Sequence, residues 1–236
     1  MTWSIIAKDD TTGRIGIAVA TRFFAVGARV PYVVAGRGGI ATQALVNPYY
    51  GIDGAALLGD GRHPHEIVQL LTAADPGRES RQLHILDLNG QIAAHTGRDC
   101  IDWCGHLEGQ GFSIAGNMLA GPQVLNETAN AFLANSALPF AQRLIAAMKA
   151  GEATGGDKRG KQSAALLIHG KDEWSELDLR VDDHADPLTE LARLEGVSRK
   201  HWAVFRQFMP TRDNPAGVTD RATIDAGIAA ALENPT

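Results

Sequence analysis

Cysteine is almost missing from this chain: Cys100 and Cys104 are the only two among 236 residues. Two are too few for a disulfide framework in a chain of this size, so a reducing compartment fits. No apolar run approaches the roughly 20 residues that a bilayer span needs. The opening stretch MTWSIIAKDD lacks the basic segment, apolar stretch and small-residue cleavage site of a secretory leader. A cytoplasmic protein without membrane contact is therefore expected. Basic charge is also short, with 22 Lys and Arg against 27 Asp and Glu for a net charge of −5. Those cations are scattered, which removes the electrostatic footprint of a nucleic-acid binder. The H-E-x-x-H and G-x-S-x-G motifs are absent, and neither internal repeats nor low-complexity segments occur.

What is present reads as an ordinary globular chain, 44% apolar and 21% charged. Its length fits one domain over 1–236, with a core to residue 169 followed by a closing strand and C-terminal helices from 170 onward. The runs TWSIIAK from Thr2 and RIGIAVAT from Arg14 flank a Gly-containing turn and predict a hairpin. Ile15, Ile17 and Val19 then share one face, while Gly16, Ala18 and Ala20 leave the other open to close approach. Thr2 and Ser4 also share a face. Further strands are expected from Pro31, Gly39, Gln82, Gln91, near Trp103 to Leu107, and from Gly111.

Helices are expected around Gly54 to Leu58, Pro64 to Ala74, Pro122 to Ala134 and Pro139 to Ala150, the last with Phe140, Leu144, Ile145 and Met148 on one stripe. A last strand pair, QSAALLIHG and EWSELDLRV, precedes helical periodicity from Pro187 to Phe208 and from Ala222 to Leu232. Runs of strands answered by runs of helices argue for an α+β fold of mainly antiparallel sheets with segregated helices. Two stacked sheets, each covered by helices, bury all these faces in a four-layer αββα sandwich.

Thr2 opens the first strand directly after Met1. If Met1 is removed, one residue carries both a hydroxyl and a free α-amine. Such a Thr attacks an amide carbonyl while its own amine takes the proton, because an unperturbed α-amine has a pKa of about 7.7 to 8.0. If Met1 stays, that nitrogen is an amide and cannot act as a base.

The stretches MTWSIIAKD, GIAVATRFFAVGARVP, ATQALVNPYYG, DPGRESRQ, AAHTG, GFSIAGNML and GGDKRGKQSAALL run from Met1 to about Leu167. Together they resemble the bacterial family called domain of unknown function 1028, assigned by similarity to the N-terminal nucleophile (Ntn) hydrolases. The resemblance implies the αββα sandwich and points to Thr2 as nucleophile. The opening is also similar to proteasome-type β subunits, in which a Thr begins the first strand and an Arg lies near the end of the second; Arg22 matches that Arg. No Lys occurs between Lys8 and Lys149, so Arg22 is the candidate for the cation that this superfamily often sets beside the amine. Gly116 and Asn117 resemble the pairs that hold a developing oxyanion. The loop from Gly155 to Gly160 resembles the superfamily's later loop, with Asp157 to orient the amine and Arg159 to fork onto a substrate carboxylate. Ser163 is a further polar candidate at the start of its strand.

The resemblance implies an amide hydrolase for a small substrate, without a cofactor or metal, and a homodimer by fold analogy alone. The alternative is a catalytically idle relative that binds a small anionic metabolite or serves as an oligomeric scaffold. Arg22, Arg37, Arg78 and Arg159 each invite a carboxylate-bearing ligand. Other motifs carry less. Gly36, Gly38 and Ala41 fit a dinucleotide pattern, but Asn47 and Pro48 interrupt the helix it needs. His63 and His65 flank Pro64 at a helix entry. Cys100, Cys104 and His106, with His95 or Asp99, offer zinc-type ligands at a spacing that is not one of the usual short pairs.

Overall fold

Alternation along the strands decides the architecture. In β1 (Thr2–Asp9) and β2 (Arg14–Thr21) nearly every residue is buried, so both faces of this hairpin must be covered. The computed structural model describes residues 2–233 and shows how. β1 and β2 lie at the centre of a six-stranded sheet ordered β10-β9-β2-β1-β8-β7, in which every pairing is antiparallel. Its other strands are β7 (Gly105–Gly109), β8 (Phe112–Asn117), β9 (Ser163–His169) and β10 (Leu177–Val181). A second antiparallel sheet, β3-β4-β5-β6, uses Pro31–Val34, Gly38–Ala44, Arg81–Asp87 and Ile92–Thr96.

Helices close both outer faces. α1 (Pro48–Gly59) and α2 (Pro64–Ala74) pack on the four-stranded sheet through Tyr50, Leu58, Ile67 and Leu71 against Ile40, Leu83 and Ile85. α3 (Gln123–Ala134) and α4 (Phe140–Ala153) cover the six-stranded sheet. The result is the four-layer αββα sandwich expected from the sequence.

The small face of β2 is where α4 sits. A Cβ on Gly16 would lie 2.7 Å from Leu144 Cδ1 and 2.9 Å from Phe140 Cε1. The bulky face of β2 points the other way, and Ile15, Ile17 and Val19 join Ile6, Val26, Val30, Ala41, Leu86 and Ala165 between the sheets.

Two local readings change. α1 begins at Pro48, earlier than the Gly54 to Leu58 segment predicted. Asn47 and Pro48 do not interrupt a helix but start one: Pro48 sits at its first position, where no N–H is needed, and Asn47 Oδ1 accepts the Tyr49 N–H at 3.1 Å. The helical run from Pro187 is divided, with α5 (Pro187–Lys200), α6 (Trp202–Phe205) and a 3₁₀ turn, Arg206–Phe208.

The chain forms two compact units, residues 2–191 and 192–233, with the boundary inside α5. The first unit holds both sheets and α1 to α4. The second contains α6, the 3₁₀ turn and α7 (Arg221–Glu233), with Gly227 of α7 closely approached by the Phe208 ring. Among the described residues no helix is long and apolar enough to cross a membrane.

Gly16→Ala is expected to destabilise the protein by about 1–3 kcal/mol through overpacking against α4. Denaturant unfolding checks this, and combining it with Leu144→Ala should cost less than the sum of the two single losses.

Candidate active site

At the end of the sandwich where β1 begins, the interior changes character. The inward face of β1 runs Thr2, Ser4 and then Ile6; that of β5 runs Gln82, His84 and then Leu86; on β4, Gln43 precedes Ala41 on the way inward. Polar side chains therefore fill one end of the gap between the sheets and aliphatic ones fill the rest. The polar residues Thr2, Ser4, Gln43, Gln82, His84, Ser113 and Asn117 that join here are buried. Such groups persist only when hydrogen-bonded, since one left unpaired costs about 1–3 kcal/mol.

They are paired in a continuous network. Gln82 is its hub: Oε1 accepts from Gln43 Nε2 at 2.7 Å and Asn117 Nδ2 at 3.1 Å. Gln82 Nε2 donates to Thr96 Oγ1 and to the carbonyls of Gly105 and Gly116 at 2.9–3.0 Å. With Gln43 Nε2 donating to Gln82, Gln43 Oε1 is the acceptor for the Ser4 hydroxyl at 2.7 Å. The Ser4 oxygen then accepts from His84 Nε2 at 2.8 Å, which leaves Nδ1 to accept the Ser113 hydroxyl at 2.9 Å. The donor directions thus select one neutral tautomer of His84. Burial, with a smaller contribution from His106, pushes its pKa down to about 3, in agreement with a neutral ring.

Thr2 stands at the open edge of this layer. It is directly opposite Asn117 on β8 and begins β1. Its hydroxyl donates to Thr21 Oγ1 at 3.2 Å. Its carbonyl receives Asn117 Nδ2 at 3.4 Å and Gln43 Nε2 at 3.5 Å. Thr2, Thr21 and Gln43 also form the polar wall of a cavity of about 160 Å³, whose remaining lining includes Phe23, Val26, Val30, Leu45 and Arg29. A second cavity of about 280 Å³ shares Ala44 and Leu45 with the first and is bordered by Asn117, Met118, Ser80, Asp99, Cys100 and Ile101. Ala25, Ala44 and Met118 all adopt positive φ, at 54°, 71° and 54°. Three non-glycine residues in this region, all bordering or adjoining the cavities, mark a locally strained backbone held by its surroundings.

The other candidates fall in different places. Asp157 is buried, and its carboxylate accepts the backbone N–H of Arg22 at 2.7 Å and of Arg159 at 2.9 Å. Arg159 also pairs with it through Nη2 at 3.1 Å, so this guanidinium is already engaged by a carboxylate of the same loop. Gly155, Gly156 and Gly160 take positive φ there, which lets the loop fold tightly enough to bring Asp157 to the end of β2. The Arg22 side chain, expected beside the amine, is exposed and donates to the Arg159 carbonyl; its contribution to the loop is the main-chain N–H that Asp157 accepts.

Gly116 pairs with Trp3 and lies on the face opposite Asn117, because side chains alternate along a strand; a Cβ there would meet Leu119 and Trp3. Ser163 is buried outside both cavity linings, with Oγ donating to the Phe23 carbonyl at 2.5 Å and accepting the Val26 N–H at 3.2 Å. It secures the loop that carries Phe23, Val26 and Arg29 along the cavity. Arg22, Arg37, Arg78 and Arg159 line neither cavity.

The zinc-type grouping does not assemble. Cys100 Sγ donates to the Arg81 carbonyl, Cys104 Sγ to the Cys100 carbonyl, and His106 Nδ1 meets Thr96 Oγ1. Burial raises both thiol pKa values, that of Cys100 to about 11. Among the described residues no three or more His, Cys, Asp or Glu side chains are arranged to hold a metal ion. His63 acts at the helix entry, where Nδ1 accepts the His65 N–H at 3.2 Å. Sequence reading passed over Arg29, Gln43, Gln82 and His84; the polar alternation of Gln82 and His84 along a strand otherwise rich in Leu and Ile was the available signal.

His84 takes up a proton near its ordinary pKa of about 6.5 when unfolded but only near 3 when folded. Its contribution to stability is therefore complete above pH 6.5 and falls, by up to about 1.4 kcal/mol per pH unit, as the pH drops from there toward 3. His84→Gln should make stability less steep between pH 6 and 4, measured by denaturant unfolding of both proteins across about that range.

The family described as a family of unknown function (DUF1028) matches residues 2–191. The crystal structure of protein SPO2555 from Silicibacter pomeroyi, a DUF1028 protein, is 35% identical, with a TM-score of 0.85 over 93% of this chain and 96% of that one. Anbu (ancestral beta-subunit) from Yersinia bercovieri is 10% identical with a TM-score of 0.42, over 83% of this chain and 94% of that one. Comparison with curated proteins finds no match. The match over most of the chain, on a fold shared with SPO2555, shows that this chain belongs to the DUF1028 family.

Proposed function

We propose that the chain is an N-terminal nucleophile amide hydrolase for a small substrate, with Thr2 as nucleophile. The observation that carries this reading is the position of the Thr2 hydroxyl: at the start of a central strand, on the inward face, and at the wall of a cavity. Met1 lies outside the described residues, and the mechanism requires its removal to free the Thr2 amine.

In that state Thr2 Oγ1 attacks the substrate carbonyl and the α-amine takes the hydroxyl proton. The proton passes to the leaving amine as the C–N bond breaks, giving an acyl ester on Thr2. Water, deprotonated by the same amine, then hydrolyses the ester and restores Thr2. Thr21 steadies the hydroxyl, while Gln43 and Asn117 hold the Thr2 carbonyl and with it the first residue of β1. Asn117 Nδ2 can stabilise the developing oxyanion by turning from one of its two present acceptors. Asp157 acts at one remove by fastening the Gly155–Gly160 loop to Arg22 at the end of β2.

A second reading, a catalytically idle binding protein on the same scaffold, is favoured by one feature. The Arg22 guanidinium expected to depress the amine pKa is exposed and turned to the Arg159 carbonyl. Intact-mass measurement on protein from the native host separates the two: loss of Met1 supports the hydrolase and a fully retained Met1 supports the binder.

Thr2→Ala should lower amide turnover by at least about 100-fold with little change in unfolding midpoint, because it removes the nucleophile while sparing the buried network. A panel of small amides, monitored for released amine, provides the assay. Turnover retained by the variant rules the mechanism out.

A further inference from the structure

We infer that the ligand of the Thr2 site carries two opposite charges, a carboxylate on its acyl portion and a cationic group on its amine portion. The assignment of these ends rests on Thr2 as the reacting residue; the charge recognition itself does not.

Each of the two adjoining cavities has one charged residue in its lining, and both residues are exposed. In the cavity that contains Thr2 it is Arg29, among the neutral polar groups of Thr2, Thr21 and Gln43 and a set of apolar walls. In the neighbouring cavity it is Asp99, alongside Ser80, the un-ionised Cys100 thiol, Ile101, Asn117 and Met118. Among the described residues neither the Arg29 guanidinium nor the Asp99 carboxylate has an ion-pair or side-chain hydrogen-bond partner. This contrasts with Arg159, held by Asp157, and with Arg81, held by Asp75. An unpaired fork of N–H donors at the edge of an apolar cavity suits a carboxylate, and an unpaired carboxylate suits an ammonium or guanidinium group.

The placement of the two cavities supplies the order of the charges. They meet at Ala44 and Leu45, at the end of β4. Thr2 faces one, and Asn117, its direct partner across β1 and β8, borders the other. An amide whose carbonyl carbon lies at Thr2 Oγ1 extends its acyl chain into the first cavity, toward Arg29, and its amine chain toward Asp99. Phe23, Leu45 and Ile101 provide apolar surface for the methylene chains between the reacting bond and the charged ends.

The test uses N-succinyl-putrescine, an amide with a carboxylate on the acyl side and an ammonium on the amine side, and three relatives: N-butyryl-putrescine, N-succinyl-butylamine and N-butyryl-butylamine. Binding is measured by calorimetry on the full-length Thr2→Ala chain, which cannot consume the probes by the proposed route. The doubly charged probe should bind most tightly, and loss of either charge should weaken binding by about two- to fivefold, the range for a solvent-accessible ion pair. Adding Arg29→Met should abolish the effect of the carboxylate alone, and adding Asp99→Asn that of the ammonium alone. Equal binding of all four probes, binding of none, or a charge preference that survives both substitutions overturns the inference. The probe 4-aminobutanoyl-β-alanine carries the charges in reverse order and should bind more weakly; equal binding overturns the assignment of ends. Turnover by the chain with Met1 removed keeps the two readings apart. Charge-dependent binding without hydrolysis removes the hydrolase and leaves the recognition, whereas hydrolysis indifferent to charge does the opposite.

Discussion

Polar side chains placed between two stacked sheets must satisfy one another, and that requirement governs this molecule. Gln82 meets it from the four-stranded sheet by accepting from Gln43 and Asn117 and donating to three further acceptors. Because Gln43 and Gln82 belong to one sheet and Thr2, Ser4, Ser113 and Asn117 to the other, the network fixes the register of the sheets as well as the tilt of single side chains. Aliphatic packing between Ile6, Ile17 and Leu86 is directionless by comparison. It holds the sheets together, while the hydrogen bonds specify how they meet.

The same layer places Thr2. Its carbonyl accepts from two buried amides and its hydroxyl donates to Thr21. The neutral His84 ring, hydrogen-bonded to Ser4 and Ser113, ties β5 to β1 and β8 without introducing a charge there. The loops over this edge are tied down as well. Phe23, Val26 and Arg29 come from a loop fastened by Ser163, and Asp157 from a glycine-rich turn fastened to Arg22. Function placed on loops over a fixed sheet edge is a common division of labour.

Much of this was legible along the chain. The small face of β2, the stripe on α4 and the start of α2 follow from residue spacing, because local periodicity and proline chemistry act over a few residues. The start of α1 was misread for a related reason: Asn47 and Pro48 signal a break when scanned against a dinucleotide motif and a cap when scanned as a helix entry. Candidate residues fared unevenly. Thr2 and Asn117 meet across β1 and β8 and border the cavities, whereas Gly116 lies on the other face, Ser163 braces a loop, and the Arg22 side chain turns outward.

By itself the sequence determined the element types, the antiparallel hairpin at the start and the layered α+β class, since these follow from periodicity and turn signals along the chain. Only the tertiary structure decided that Gln43, Gln82, His84 and Asn117 form one network, that Arg29 rather than Arg22 reaches the cavity, and that Asp99 borders the space next to it. Those groupings join residues far apart in the chain, Gln43 and Gln82 being 39 positions apart and Gln82 and Asn117 a further 35. They arise from how two sheets stack and how loops close over their edge, a geometry set by the sum of burial across the whole unit and encoded at no single stretch of chain.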